Sequence, residues 1–328
     1  MNKFITRAIT KRIFSSVLVL FLVITFVFFL VRMAPGDPAQ KFLSPNFSPQ
    51  LAEQISKSFN LDKSLPEQYI SFVVNLFTGN LGSSYTYRLP VTKVVYEYLS
   101  FTVIFALIAF LIQSIISFWL AVRSVKNING FFDRAVDKLS LLVYATPSFV
   151  IGLVLILIFS VQLDLFPTSG TKSLNNSELP FIIRILDYLS HLFLPLITLT
   201  AGGIAVFYRY IRDNLNDIYN QNFILNLRAM GCSEQTILRK HIIPNALGPF
   251  LSIAGIELGI LFGGALITEV IFGLPGMGRL TIAAIFERDY PLVMGCTLAA
   301  AFLMILSNLI ADLVKIKIDK RLIKDLLQ

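Results

Sequence analysis

Six stretches of this chain are long enough to cross a lipid bilayer and carry almost no charge. They are residues 13–31, 98–122, 139–163, 192–208, 246–268 and 290–311, and the only acidic or basic residue inside them is Glu257. A hydrocarbon core of about 30 Å is crossed by roughly 20 helical residues rising ~1.5 Å each. No water is available there, so backbone N–H and C=O groups must pair within the protein, which leaves helices or a closed barrel. The stretches are continuously apolar rather than alternating, so the expected fold is all-α: a polytopic membrane protein of six transmembrane helices. Composition points the same way. Of 328 residues, 55% are hydrophobic and 15% charged, with a mean hydropathy of +0.72, whereas a soluble globule carries about 25% charge. The first stretch follows Lys3, Arg7, Lys11 and Arg12 and ends at Arg32-Met33-Ala34-Pro35 without a small-x-small cleavage site. It reads as a retained signal-anchor helix.

The formal charge of +8 does not suggest nucleic acid as a partner, because the basic residues sit at the ends of apolar runs and form no face or tail. Their distribution instead sets an orientation. With the N-terminus in the cytoplasm, the segments 1–12, 123–138, 209–245 and 312–328 hold 18 Lys and Arg residues, against 10 on the other side. Six of those 10 fall in the loop 32–97, and long loops weigh little in the positive-inside rule. The expected organisation is a cytoplasmic arm (1–12) and a single membrane domain (13–328), with both termini in the cytoplasm.

Two loops have content. In the outer loop 32–97, Asp37-Pro38 and Ser48-Pro49 have the form of helix starts. Residues 66–77 predict a short helix stopped by Gly79, so small helices are expected on the outer face. The inner loop 209–245 predicts an elbow. Phe223, Ile224, Leu227 and Met230 fall on one helical face. Gly231 is a left-handed stop, Ser233 can cap the next helix, and Glu234 sits in its first turn. Ile237, Leu238, His241 and Ile242 line one side of that second helix, and Pro244 follows. One face of such an elbow is left for a protein partner or for the lipid headgroups.

Chemistry-bearing motifs are lacking. Cys232 and Cys296 have no zinc-type spacing, and a disulfide between a loop and an apolar run is not expected. His191 and His241 stand apart from other ligand types. There is no phosphate-cradling GxxxxGK[ST] and no triad, HExxH or nucleophile-elbow pattern. No catalytic, metal or cofactor residue is therefore expected in this chain. Glu257 at mid-membrane costs roughly 2.5–3.5 kcal/mol, so it should face protein or water, either along a translocation path or as a packing residue. Glu269 with Pro275, Gly276 and Gly278 permits a tight re-entrant turn near the outer mouth. That turn is either structural or a functional element of the outer face.

The ordered motifs resemble one family. Arg228-Ala229-Met230-Gly231, then a helix and Pro244-Asn245-Ala246, resembles the EAA loop of bacterial ABC importer permeases, specifically the dipeptide/oligopeptide/nickel group. Ala34-Pro35-Gly36-Asp37-Pro38-Ala39 is similar to that group's PGDPA, and Gly79-Asn80-Leu81-Gly82-Ser83-Ser84 to its GDLGxS. Phe166-Pro167-Thr168-Ser169-Gly170 is similar to its outer turn, and Leu194-Pro195 with Arg209 and Arg212 to the surroundings of its fourth helix. Residues 269–280, EVIFGLPGMGRL, followed by Asp289-Tyr290-Pro291, resemble its E-x-x-F-x-x-P-G-x-G-R-L and DYP. The resemblance implies a permease subunit in the bacterial cytoplasmic (inner) membrane that moves peptides or similar solutes. Implied partners are a second related permease, two ATP-binding subunits that hold ATP and Mg²⁺, and an extracytoplasmic substrate-binding protein. It implies that Phe223, Leu227, Arg228, Ala229, Met230, Gly231, Ser233 and Glu234 couple the ATPase to the bundle. Gly36, Asp37, Glu269, Pro275, Gly276 and Gly278 would belong to the outer gate or the binding-protein contact. The sequence departs from the pattern at residues 222–225, Asn-Phe-Ile-Leu where an acidic–aromatic–x–Arg run is usual, and at Met230 where lysine is usual. Nickel or glutathione-type solutes remain open, as does an ion-coupled secondary transporter, against which stand the lone Glu257 and the lack of a visible repeat.

Overall fold

A computed structural model describes residues 2–33 and 64–318. The Asp37-Pro38 and Ser48-Pro49 helix starts, and the sites at Gly36 and Asp37, lie outside the described residues. Within the described residues the chain is helical, with one isolated antiparallel bridge between Ser83 and Pro90. Helix α1 (Asn2–Met33) is followed by α2 (Leu65–Phe77), α3 (Val91–Val125), α4 (Phe131–Ala145) and α5 (Ser148–Leu155). Next come α6 (Phe181–Tyr219), α7 (Asn222–Ala229), α8 (Glu234–Ile237), α9 (Ile243–Gly264), α10 (Leu266–Ile271), α11 (Met277–Phe286) and α12 (Tyr290–Ile318). Five of the described helical stretches are long and apolar enough to cross a membrane, and six if α4 and α5 together make one crossing.

The third apolar stretch is not a straight helix as its composition suggests. It breaks at Thr146-Pro147, where α4 meets α5 and its π-helical continuation to Gln162 at a bend of 101°. Proline has no N–H to give, and its ring pushes the preceding residue out of the helical region. Thr146 accordingly lies at φ −91° and ψ 124°. The fourth stretch is longer than its apolar centre, because α6 extends through polar residues at both ends. These ends are paired. Asp187 accepts from Ser173 and Asn176 at 2.6–2.9 Å, and Arg212 grips Asp133.

The bundle has two ends, which its packing clusters identify. At the first, Ala121 and Val125 of α3, Phe207, Ile211 and Leu215 of α6, and Ile224, Ile237 and Ile242 of the 209–245 loop form one core. At the other, Val91 and Val94 of α3 pack on Met277 and Leu280 of α11 and Leu292 of α12. Beside them, Phe105 and Leu194 pack on Phe272 and Leu274. Helices α3 and α6 therefore run in the same direction, while α9 returns. Helix α1 lies along α12 through Ile24, Phe28 and Met294, and α2 covers this contact with Tyr69, Phe72 and Leu76. The first end is locked by charge. Arg212 donates through Nε and Nη2 to the two oxygens of Asp133, each at 2.6 Å. Asp133 also accepts from Tyr208 at 3.2 Å and from the Asn129 N–H at 2.9 Å. A fork-on-carboxylate pair with its remaining lone pairs satisfied is the form in which burying charge is tolerated.

Candidate coupling elbow and re-entrant turn

The elbow is built from α6 downward. Helix α6 ends at Tyr219, and after two residues the chain starts α7, eight residues long. Gly231 stops α7 at φ +81°, the left-handed region where an L side chain is strained. A Cβ added there would meet no atom within 4 Å, so the glycine answers a backbone requirement and not a steric one. Ser233 caps α8 by accepting from the Thr236 N–H at 3.3 Å. Glu234, in the first turn of α8, reaches back to α7 and α6. Arg228 Nε donates to it at 2.7 Å, and the Tyr219 hydroxyl donates to its other oxygen. The Arg228 guanidinium lies over the Tyr219 ring at 4.6 Å. Hydrogen bonding from Arg228, then from Tyr219, holds the Glu234 carboxyl below its ordinary carboxylate range. The elbow angle is thus set by one left-handed glycine, one cap and one three-residue polar clasp.

The predicted single apolar face of α7 is divided. Ile224 is fully buried, and Phe223 and Leu227 pack against the same core. They anchor the helix and are not presented outward. Met230, the C-cap residue of α7, is 71% exposed, and it does not join the core that Phe223 and Leu227 pack against. The outward face is Asn222, Leu225, Asn226 and Ala229, with Leu225 58% exposed. Leu225 is the residue that sequence reasoning missed, although i, i+3, i+4, i+7 from Asn222 runs through it. Arg228 and Glu234 are engaged with each other, and Ser233 is committed to its cap.

At the opposite end, Glu269 anchors the re-entrant turn. The sequence reads it as part of either a structural turn or an outer gate or delivery-protein contact, and in the structure its side chain is fully buried, 0% exposed. Its carboxylate accepts from Thr102 Oγ1 at 2.8 Å and from the Arg279 N–H at 3.1 Å, while Thr102 Oγ1 accepts from the Met277 N–H at 2.8 Å. Glu269 therefore satisfies the free N–H groups at the start of α11 and sits at the positive end of that helix. Gly276 is required by this arrangement: a Cβ there would fall on the Glu269 carboxylate. Of the remaining turn residues, Pro275 is exposed and Gly278 half-buried. Arg279 Nη1 closes the turn onto the Gly273 carbonyl at 2.6 Å.

The structure also joins motifs that are distant in sequence. The turn at 166–170 docks on the re-entrant segment through the Gly170 N–H and the Phe272 carbonyl at 2.8 Å. Asp289, fully buried, accepts from Ser84 Oγ at 2.5 Å and from the Thr86 N–H at 2.9 Å, tying the 79–84 motif to the start of α12. Glu257 lies half-buried on α9, and no hydrogen bond or ion pair engages it among the described residues. It is separated from both the elbow and the turn. No group of His, Cys, Asp and Glu able to hold a metal occurs among the described residues.

Fold and elbow together define a multi-pass membrane subunit with a short helix standing proud of one end of its bundle. Two family models account for nearly the whole chain. "Binding-protein-dependent transport system inner membrane component" matches residues 113–324, and the N-terminal portion of the same kind of membrane component matches residues 1–106. The chain belongs to this family and is the permease subunit of an ABC importer, a multi-pass protein of the inner membrane. It is 33% identical over 315 residues to the oligopeptide transport system permease protein AppB of Bacillus subtilis, covering 96% of this chain and 98% of that one. It is 31% identical to the probable peptide ABC transporter permease protein y4tP of Sinorhizobium fredii, with the same coverage. The dipeptide transport system permease protein DppB of Lactococcus lactis is 30% identical over 95% of this chain and 98% of its own. A solved inward-facing structure of the MetNI methionine ABC transporter overlaps 70% of this chain and 96% of its own at TM-score 0.49 and 19% identity.

Proposed function

We propose that this permease carries peptides inward across the cytoplasmic membrane, driven by ATP bound with Mg²⁺ on two partner ATPases. In this reading it pairs with a second related permease and receives peptides from an extracytoplasmic binding protein. Both termini and the elbow lie in the cytoplasm. The observation that carries the reading is the outward strip of α7. Leu225 on this eight-residue helix and Met230 just past its end stand exposed, while the helix's other side is anchored in the bundle core. An importer subunit without a phosphate-cradling motif must receive its work from a partner, and this helix is the element shaped to receive it. The nucleotide cycle biases two positions of α7, and the bundle opens to one side or the other. Glu257 lines the peptide path, where a half-buried carboxylate without a partner meets the amino terminus of the cargo. The peptide assignment is supported by the relatives named above, whose names specify peptides, dipeptides or oligopeptides.

The test is uptake by the reconstituted complex. Peptide should enter vesicles only with ATP, and a protonophore should leave the rate unchanged at constant ATP. Uptake that collapses with the proton gradient points to ion coupling and overturns the reading. A Met230→Cys variant in a Cys232→Ser background should react with a membrane-impermeant maleimide only from the cytoplasmic side.

A further inference from the structure

Between α3 and α9, at the elbow end, the bundle leaves an open groove of about 610 Å³ whose apolar wall includes Phe118, Trp119, Leu247 and Phe250. Arg123 and Lys126 stand at its rim, both exposed. Arg123 lies over the Phe132 ring at 5.1 Å, and Trp119 meets the same ring edge-on at 6.4 Å, so the cation is held beside the apolar wall. Neither Arg123 nor Lys126 forms an ion pair among the described residues. The carboxylates of the neighbouring α4 face other partners: Asp133 pairs with Arg212 and Asp137 lies 3.9 Å from Arg209. The acidic residue of α9, Glu257, lies about two turns beyond Phe250 along the helix, roughly 10 Å away.

We propose that this groove binds an anionic phospholipid, with its phosphate between Arg123 and Lys126 and an acyl chain along Phe118, Trp119 and Phe250. Charge, depth and shape all favour that occupant. The apolar run of α3 ends at residue 122, which places both cations at headgroup level. Basic pockets between membrane helices suit anionic headgroups, and a tryptophan marks the interface. A second permease fits the groove poorly. Helix–helix contacts in membranes favour small residues that let backbones approach, whereas this wall is made of large side chains and ends in two uncompensated cations.

The test uses the whole transporter complex in detergent, mixed with equal amounts of phosphatidylglycerol and phosphatidylcholine and examined by native mass spectrometry. Phosphatidylglycerol should be retained in preference, and its retention should fall as salt rises. The double variant Arg123→Gln, Lys126→Gln should bind it roughly 30-fold more weakly, from two charges near the membrane surface. Equal retention of the two lipids, or an unchanged double variant, overturns the proposal. A photo-crosslinking residue at position 119 identifies the occupant directly: a lipid adduct supports the proposal, and an adduct with a second protein chain refutes it. If the double variant does not assemble, the salt dependence and the crosslink in the otherwise unaltered complex decide.

Discussion

Gly231 is the residue at which the elbow reading is most exposed to refutation. Its φ of +81° is disfavoured for any residue with a Cβ, yet nothing lies within 4 Å of where that Cβ would be. A substitution therefore strains the backbone without a clash inside this chain. For alanine the strain is roughly 1–2 kcal/mol, which shifts the equilibrium away from the bent elbow by roughly 5–30-fold. Asparagine tolerates the left-handed region and should lose much less, whereas valine, β-branched, should lose more than alanine. The assay is the ratio of peptide taken up to ATP hydrolysed by the reconstituted complex, with permease content checked by quantitative blotting. The expected order is Gly ≥ Asn > Ala > Val, with membrane insertion unchanged. Parental uptake by Gly231→Val would falsify the elbow account. If Gly231→Asn fails as badly as Gly231→Val, side-chain volume against a partner governs the site and the backbone reasoning is wrong.

Leu225→Asp and Met230→Glu place charge on exposed positions, so the purified permease should keep its thermal stability while losing its ATPase partners on co-purification; retention of the partners argues for a headgroup-facing α7. Asp133→Asn or Arg212→Gln leaves one member of a buried pair alone, at a cost on the order of 3 kcal/mol. The side chains are 1% and 19% exposed, so the melting temperature should drop clearly, and a double-mutant cycle should recover part of the loss. Gly276→Ala drives a methyl group into the Glu269 carboxylate, and Glu269→Ala orphans the N–H groups of α11, at about 1–3 kcal/mol for the unsatisfied groups. Both should make the 273–278 turn sensitive to protease, and resistance equal to the parent would count against the cap. Glu257→Gln should lower uptake of peptides with a free amino terminus more than that of N-acetylated ones; an unchanged preference removes Glu257 from the path.

What the sequence made legible follows from how each feature is encoded. Bilayer crossings are written in composition over some 20 residues, so a hydropathy average finds them. The same average hides a single proline, and the 101° bend at Thr146-Pro147 disappears inside an otherwise unbroken apolar window. The length of α6 was hidden for the opposite reason. Asp187 and Arg212 look like loop charges until Ser173, Asn176 and Asp133 are seen to satisfy them. At the elbow, cap and stop residues act locally, so Gly231 and Ser233 could be read in place. The outward face of α7 could not, because it depends on which side finds Ile237 and Ile242 to pack against. Glu269 was visible as a residue that needed explaining. Its partners Thr102 and Arg279 lie on α3 and α11, and no periodicity links those positions.

The two sites also share a physical connection. From Glu234 to Ile271 the chain forms one helical run of 38 residues, beginning in the clasp that fixes the elbow and ending just past Glu269. It is not uniform. A π-helical turn at Leu238–Ile242 lies just above the elbow, and the helix is interrupted after Gly264, just before Leu266–Ile271. Such interruptions are where a helix bends, because backbone bonds are already rearranged there. The segment between them, Ile243–Gly264, packs along α12 and carries Pro249 in its interior, so it is a rod with one bend point of its own. A displacement of α7, as the proposed coupling requires, would enter this rod through a compliant joint and leave it through a second one beside the Glu269 cap. A substitution at the left-handed glycine of the elbow would then alter the geometry of a turn at the far end without a chain of side-chain contacts to carry it. The rod makes a sharper demand: Gly231 and Gly276 variants should be non-additive in uptake while remaining additive in thermal stability, since they share a lever and no contact.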